Sequence, residues 1–247
     1  MPILNDTQLD QINLPNSHYG YSATRLEDLG ATEYTIATIV ADVSGSTAAF
    51  TLDMESAITR IVQACKLSPR ADNLLLRLLT FDDSLREFHG FKLLENCHLA
   101  DYGGSLRSGG ATALFDATEN AVASFTNYAQ KLSSADFSAN AILFVITDGA
   151  DNVSRSSAKQ VKASLADAVK SEALESVVSI LIGVNVQDAS TSQYLNHFRT
   201  EAGFSQYVEL DKADAKTLAR LAEFVSQSIS AQSQAIGTGG GSQQLVF

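Results

Sequence analysis

A chain of 247 residues, 45% of them hydrophobic, is long enough to bury one large core. Its 28 acidic and 17 basic residues give a net charge of −11, which argues against nucleic-acid binding because contacts to phosphate need clustered Lys and Arg. Cys65 and Cys97 form no CxxC pair, so we expect no disulfide framework and a reducing compartment. With neither a signal peptide nor an apolar run near 20 residues, we expect a cytoplasmic protein.

The N-terminal residues 1–32 are polar and show no sustained periodicity. They are interrupted by Pro15, Gly20 and Gly30. We interpret this segment as a leading arm and not as a domain. Beyond Ser230 the composition shifts to Gln, Ser and Gly, which predicts a C-terminal tail at 231–247 that is flexible in isolation. Its last three residues, 245–247, are apolar, and one hypothesis is that they anchor the tail to a groove or a sheet edge.

Between these ends, residues 33–230 alternate between apolar strands and amphipathic helices. The predicted strands are short apolar runs at 36–43, 74–81, 85–91, 142–147, 177–184 and 207–210. The predicted helices have apolar residues at helical spacing and lie near 54–65, 114–132, 161–169, 194–202 and 218–229. This alternation specifies an α/β domain, an open sheet covered by helices on both faces. The turn at Asp82-Asp83 is too short for a crossover, so the strands it joins are antiparallel.

Three short polar motifs fall where an open α/β sheet places its binding sites, beyond the carboxyl ends of strands. The first strand ends in Asp42-Val43-Ser44-Gly45-Ser46, and the fourth ends in Thr147-Asp148-Gly149. Between them, Gly109-Gly110-Ala111-Thr112 opens a helix. Any one of these motifs arises often by chance. All three in order, each at a strand end or helix start, indicate one composite site.

In these motifs the sequence resembles the von Willebrand factor A family, whose metal-ion-dependent adhesion site has the form DxSxS, then T, then D. The resemblance covers roughly residues 33–229. It implies a Rossmann-like, mostly parallel sheet of six strands with one antiparallel edge strand, and helices on both faces. The strand that follows Asp82-Asp83 fits that edge. The resemblance also implies an intracellular type of A domain like those of bacteria and phages, which often act beside AAA+ ATPases.

The resemblance further implies one divalent metal, Mg²⁺ or Mn²⁺. Hydroxyl oxygens of Ser44, Ser46 and Thr112 would bind the ion directly, and Asp42 and Asp148 would hold it mainly through water. Mg²⁺ prefers oxygen ligands and keeps several waters, so this set leaves a coordination position open. We expect an Asp or Glu of a protein partner to fill it.

The same residues allow other interpretations. Ser46 and Thr112 could be helix N-caps, and Asp148-Gly149 an ordinary turn. Asp151 and Asn152 could add contacts behind the ligands, although solvated turn residues are the favoured interpretation. The histidines show no metal or triad spacing and are interpreted as packed or surface residues; they are His18, His89, His98 and His197.

The sequence therefore predicts a metal-dependent protein-interaction module, an adaptor and not an enzyme. The alternative is a structural protein that assembles into a homo-oligomer with the metal secondary. A hydrolase using Ser44 or Asp148 is a distant third hypothesis, because no GxSxG motif is present.

Overall fold

The computed structural model describes residues 9–14, 19–241 and 244–247, so Pro15, His18 and Ser242 lie outside the described residues. Within them the strands are β1 Leu9–Ile12, β2 Tyr21–Thr24, β3 Glu33–Asp42, β4 Leu74–Phe81, β5 Leu85–Leu93, β6 Ser138–Thr147, β7 Val177–Gly183 and β8 Gln206–Glu209. The α-helices are α1 Thr51–Lys66, α2 Leu114–Ser133, α3 Ala158–Lys170, α4 Ala189–Ala202 and α5 Ala215–Thr238. No helix in this part of the chain is long and apolar enough to cross a membrane.

The strands form one mostly parallel sheet in the order β1-β2-β5-β4-β3-β6-β7-β8. Strands β3, β4, β6, β7 and β8 are mutually parallel, whereas β5 runs antiparallel to β4. The predicted α/β class with helices on both faces is confirmed. The sheet differs from the expected one in having eight described strands instead of six, and β5 is not an edge strand, because β2 pairs with its far side.

Alternate residues of the central strands point into two separate cores, as the two-residue period of a strand requires. Along β3, Ala37, Ile39 and Ala41 pack with α1 and α5, whereas Ile36 and Val40 pack with α2, α3 and α4. The same alternation occurs along β6. Two cores of this kind hold the middle of the sheet rigid, so the polar residues at its carboxyl edge have a fixed support.

The segment predicted as a leading arm contributes the antiparallel pair β1–β2 to the sheet. Its ladder to β5 is short, with Ala23 facing Phe91, and Gly90 permits the approach because a Cβ there would lie 1.9 Å from the Ser22 carbonyl oxygen. Polar residues complete the attachment: the Ser22 amide and hydroxyl both donate to the Glu87 carboxylate. The sequence did not predict these strands, because this segment has no regular spacing of apolar residues.

Helix α5 continues to Thr238, eight residues beyond the predicted end of the domain at 230, and so includes part of the segment expected to be flexible. Its added turns bury polar side chains that have partners. Arg70 Nε donates to Ser233 Oγ at 3.0 Å, and Asn140 Nδ2 donates to the carbonyl of Gln232 at 2.8 Å. After the helix, Leu245 and Phe247 pack against the core on the α1–α5 side of their own chain.

Candidate metal centre

The carboxyl ends of β3 and β6 bring two of the predicted motifs together. The strands are parallel neighbours in register from Glu33 opposite Ser138 to Ala41 opposite Ile146. Asp42 is the last residue of β3, and Asp148 follows the last residue of β6, Thr147. The two carboxylates are therefore at the same edge of the sheet, although 106 positions separate them in the sequence.

Hydrogen bonds link the polar side chains at this edge into one chain of contacts. Ser46 Oγ donates to Asp148 Oδ1 at 2.8 Å, and the Ser44 and Ser46 hydroxyls are 3.2 Å apart. Asp42 accepts the Ser44 amide at 2.7 Å through Oδ1 and the Thr147 hydroxyl at 2.6 Å through Oδ2. Four of the five predicted site residues thus share one connected cluster of oxygen atoms.

Backbone contacts bring the loop that carries Thr112, the fifth predicted site residue, against the DxSxS segment. The Gly45 amide donates to the Gly110 carbonyl at 3.2 Å, and the Gly109 amide donates to the Val43 carbonyl at 2.8 Å. Gly110 has φ = +72°, a conformation that side-chain-bearing residues rarely adopt. The glycines before Thr112 therefore let the loop run directly against the DxSxS segment, as their spacing predicted.

Neither Ser46 nor Thr112 is the N-cap of a helix, whereas Ser44 holds the N-cap position of a short 3₁₀ helix without a side-chain cap bond. The N-cap of α1 is Phe50 and that of α2 is Ala113, and neither makes a side-chain cap hydrogen bond. Ser46 lies instead in a 3₁₀ turn, Gly45–Ala49, between β3 and α1. The N-cap alternative for Ser46 and Thr112 is therefore wrong.

The site is partly withdrawn from solvent. Asp42, Ser44 and Thr112 are buried, Asp148 is half-buried, and Ser46 is exposed. Burial raises the pKa of Asp42 to about 6, against the opposing effect of hydrogen bonds from Ser44 and Thr147. Burial also raises the pKa of Asp148, against the effect of the Ser46 hydrogen bond. Both shifts express the cost of placing two negative charges in a poorly hydrated site, a cost that a nearby cation would remove.

The donor set fits a small, hard divalent cation. It offers three hydroxyl and two carboxylate groups, and its formal charge of −2 matches a divalent ion. Among the described residues there is no group of three or more His, Cys, Asp or Glu that could hold a metal. His89 is buried against Tyr102, His98 and His197 are exposed, and both cysteines are buried and free.

Two supporting contacts were not anticipated from the sequence. Thr147 donates to Asp42, and Glu55 of α1 accepts the amides of Gly104 and Leu106, which pins the glycine-rich loop to the helix. A buried glutamate among the apolar positions of a predicted helix is the sequence signal that could have revealed the second contact. Its partners could not be named, because they lie about 50 residues away.

Two residues interpreted as solvated turn residues also make specific contacts. Asn152 accepts the Thr112 amide, and Asp151 accepts the Phe115 amide at the start of α2. The alternative, contacts behind the proposed ligands, is thus observed, because the loop after β6 folds back onto the loop that carries Thr112, while Asn152 is also exposed as the favoured interpretation expected.

Comparison with known proteins shows similarity at the level of fold. No protein-family model matches the sequence, and no curated protein matches it. The PilB minor pilin from Streptococcus sanguinis is similar in structure, with a TM-score of 0.58 at 15% identity over 89% of this chain and 66% of that chain. The pilus adhesin SpaC from Lactobacillus rhamnosus GG, in its open conformation, has a TM-score of 0.59 at 11% identity over 86% of this chain and 31% of that one.

A third similar structure is proximal thread matrix protein 1 from the mussel byssus, described with a zinc-occupied MIDAS motif. Its TM-score is 0.54 at 19% identity over 81% of this chain and 46% of that chain. The present chain therefore spans less than two thirds of the length of each of these proteins. Together these similarities support a von Willebrand factor A-like fold and leave the ligands of this chain to be inferred from its own residues.

Proposed function

We propose that this chain is a metal-dependent protein-interaction module. One divalent cation, Mg²⁺ or Mn²⁺, binds at the carboxyl edge of the sheet and accepts a carboxylate from a protein partner. The observation that carries the proposal is the connected oxygen cluster, in which Ser46 reaches Asp148 across 102 residues of sequence. The proposed ligands are Asp42, Ser44, Ser46, Thr112 and Asp148.

Each residue has a distinct part in the proposed site. The three hydroxyls of Ser44, Ser46 and Thr112 bind the ion without adding charge, so the two carboxylates alone balance it. Both Asp42 oxygens are already held by protein donors, which fixes that carboxylate beside the ion. A site with two carboxylates leaves the cation able to attract a third one from outside. When bound, the metal supplies that electrostatic attraction.

Binding without catalysis is part of the proposal. Ser44 and Ser46 hydrogen-bond to each other, and Ser46 also donates to Asp148. No histidine takes part in these bonds in the described part of the chain, and we propose that the Asp148 carboxylate holds Ser46 in place for the ion and does not act as a base. Cytoplasmic location and an AAA+ ATPase system as partner stay predictions of the sequence analysis.

Titration with MnCl₂ by calorimetry tests the metal site. We expect wild type to bind one ion and Asp42→Ala to lose most of the heat, because that variant removes half of the site's negative charge. Asp211→Ala is the matched control, since Asp211 is an exposed aspartate outside the cluster. Equal heats from wild type and Asp42→Ala would show that the metal binds elsewhere or not at all.

A pull-down from the native cell, in Mg²⁺ and in EDTA, tests the interaction. We expect partner proteins to be retained in Mg²⁺ and lost in EDTA, and to be lost with Thr112→Ala even in Mg²⁺. Retention that is unchanged in EDTA would contradict a metal-bridged contact. Light scattering then addresses the assembly alternative, because a homo-oligomer whose mass is the same in EDTA and in Mg²⁺ would favour a structural protein with a secondary metal.

A further inference from the structure

Residues 149–157, in the loop between β6 and α3, contact the segment that carries Thr112, one of the proposed ligands. This loop begins directly after Asp148, and it folds onto the segment that joins Thr112 to α2. The loop therefore connects two of the proposed ligands that come from different parts of the chain. Its contacts determine how far apart those ligands lie.

Asn152 makes the central contact of this loop. Its side-chain Oδ1 accepts the Thr112 amide at 2.8 Å, and its own amide donates to the Thr112 carbonyl at 3.0 Å. Two hydrogen bonds to the two sides of one residue fix both the position and the rotation of that residue's backbone. The backbone position in turn limits the directions in which the Thr112 hydroxyl can point.

The neighbouring residues of the loop strengthen the same attachment. Helix α2 starts two residues after Thr112 and has no side-chain cap of its own. Ser154 Oγ accepts the amides of Phe115 and Asp116, both at 3.1 Å, and Asp151 accepts the Phe115 amide at the same distance. These acceptors satisfy amides that the first turn of a helix leaves without partners. The start of α2 is thus capped from the loop.

We propose that Asn152 is the positioning residue for Thr112, and that it tunes the metal affinity of the site without touching the ion. This inference rests on the proposed metal site and adds a residue that the ligand pattern does not contain. Residues that orient metal ligands typically change metal affinity by about 10- to 100-fold when they are replaced. Because Asn152 is exposed and its backbone contact survives substitution, we expect about tenfold, the lower end of that range.

Calorimetric titration with MnCl₂ of Asn152 variants tests this role. Asn152→Ala removes the acceptor and should weaken Mn²⁺ binding about tenfold, with a melting temperature close to wild type. Asn152→Asp keeps an oxygen for the Thr112 amide and should bind within about twofold of wild type or more tightly. Asn196→Ala makes the same substitution at an exposed site on α4 and should change nothing.

A double substitution separates positioning from a general structural effect. If Asn152 acts through the Thr112 hydroxyl, Asn152→Ala should have no further effect on Mn²⁺ affinity once Thr112 is alanine. An equal loss in both backgrounds would overturn the proposal, as would an Asn152→Ala variant within twofold of wild type. Should Asn152→Ala not fold, Asn152→Gln displaces the oxygen by one methylene and is expected to show the same loss.

The failure of this inference is distinguishable from failure of the metal site itself. Equal heats for wild type and Asp42→Ala would remove the site, and this inference with it. A normal difference between those two proteins, combined with wild-type affinity in Asn152→Ala, would overturn only the role of Asn152.

Discussion

Replacing Arg77 with methionine tests whether a buried ion pair holds the N-terminal hairpin on the sheet. Arg77 is fully buried on β4, and its three nitrogens donate to Glu87 at 2.7 Å, Ser124 at 2.7 Å and Asn120 at 3.0 Å. Glu87, whose side chain is 11% exposed, also accepts both Ser22 donors of β2. Arg77→Met therefore leaves a nearly buried carboxylate without its cation.

Removing one partner of a buried ion pair costs about 3–5 kcal/mol. Glu87 keeps its two bonds from Ser22 and some contact with solvent, so we expect the lower end, about 3 kcal/mol. In a domain of this size that loss lowers the melting temperature by roughly 6–12 °C. The β2 amides should exchange faster with solvent as well, because the Glu87 carboxylate that holds them is no longer fixed.

Urea denaturation followed by circular dichroism measures the loss, and hydrogen exchange locates it. Arg60→Met is the control, since Arg60 is exposed and its free energy of unfolding should change by less than about 0.5 kcal/mol. The double variant Arg77→Met/Glu87→Met should be less destabilised than the sum of its single variants, because it leaves no unpaired charge. A loss below about 1 kcal/mol in Arg77→Met, or additive effects in the double variant, would refute the reasoning.

Two further substitutions follow from close contacts in the structure. Gly90→Ala places a Cβ against the Ser22 carbonyl, so we expect the free energy of unfolding to fall by about 1–3 kcal/mol in urea denaturation. Hydrogen exchange should show faster exchange of the β2 amides in the same variant. Glu55→Ala leaves two amides of the glycine-rich loop without their acceptor, so the free energy of unfolding should fall by about 1–3 kcal/mol, measured by scanning calorimetry. Glu55→Gln keeps one acceptor oxygen and should lose less stability. Equal melting temperatures for the two Glu55 variants and wild type would contradict the proposed loop contact.

The order of elements in residues 33–230 was predictable because the central strands and helices bury their residues in regular periods. Strand β4 coincides with the predicted run at 74–81, and the other predicted strands and helices overlap observed ones with shifted ends. The antiparallel turn at Asp82-Asp83 was also predictable, since a connection this short between two strands cannot form the crossover that parallel strands require. These features depend on local sequence, because regularly spaced apolar residues indicate which face of a helix or strand is buried.

The grouping of the site was predictable for a related reason. In a parallel sheet the carboxyl ends of neighbouring strands meet at one edge, so motifs at strand ends converge without knowledge of any side-chain contact. The roles of Thr147, Glu55 and Asn152 were not predictable in this way. Each depends on a partner 40 to 105 residues away, and their own residue types occur at many positions with no such contact.

The sequence alone thus determined the fold class, the chain order of the central strands and helices, and which polar motifs lie at the ends of strands. Only the tertiary structure decided that the N-terminal segment adds β1 and β2 to the sheet and that α5 continues through the Ser- and Gln-rich turns. In both segments polar bonds, such as Ser22 to Glu87 and Arg70 to Ser233, accompany a few buried apolar side chains, among them Tyr21, Ala23 and Ile236. In a sequence pattern a polar side chain is interpreted as exposed to solvent. Only the tertiary structure shows that such a side chain is buried and hydrogen-bonded to a partner far away in the sequence.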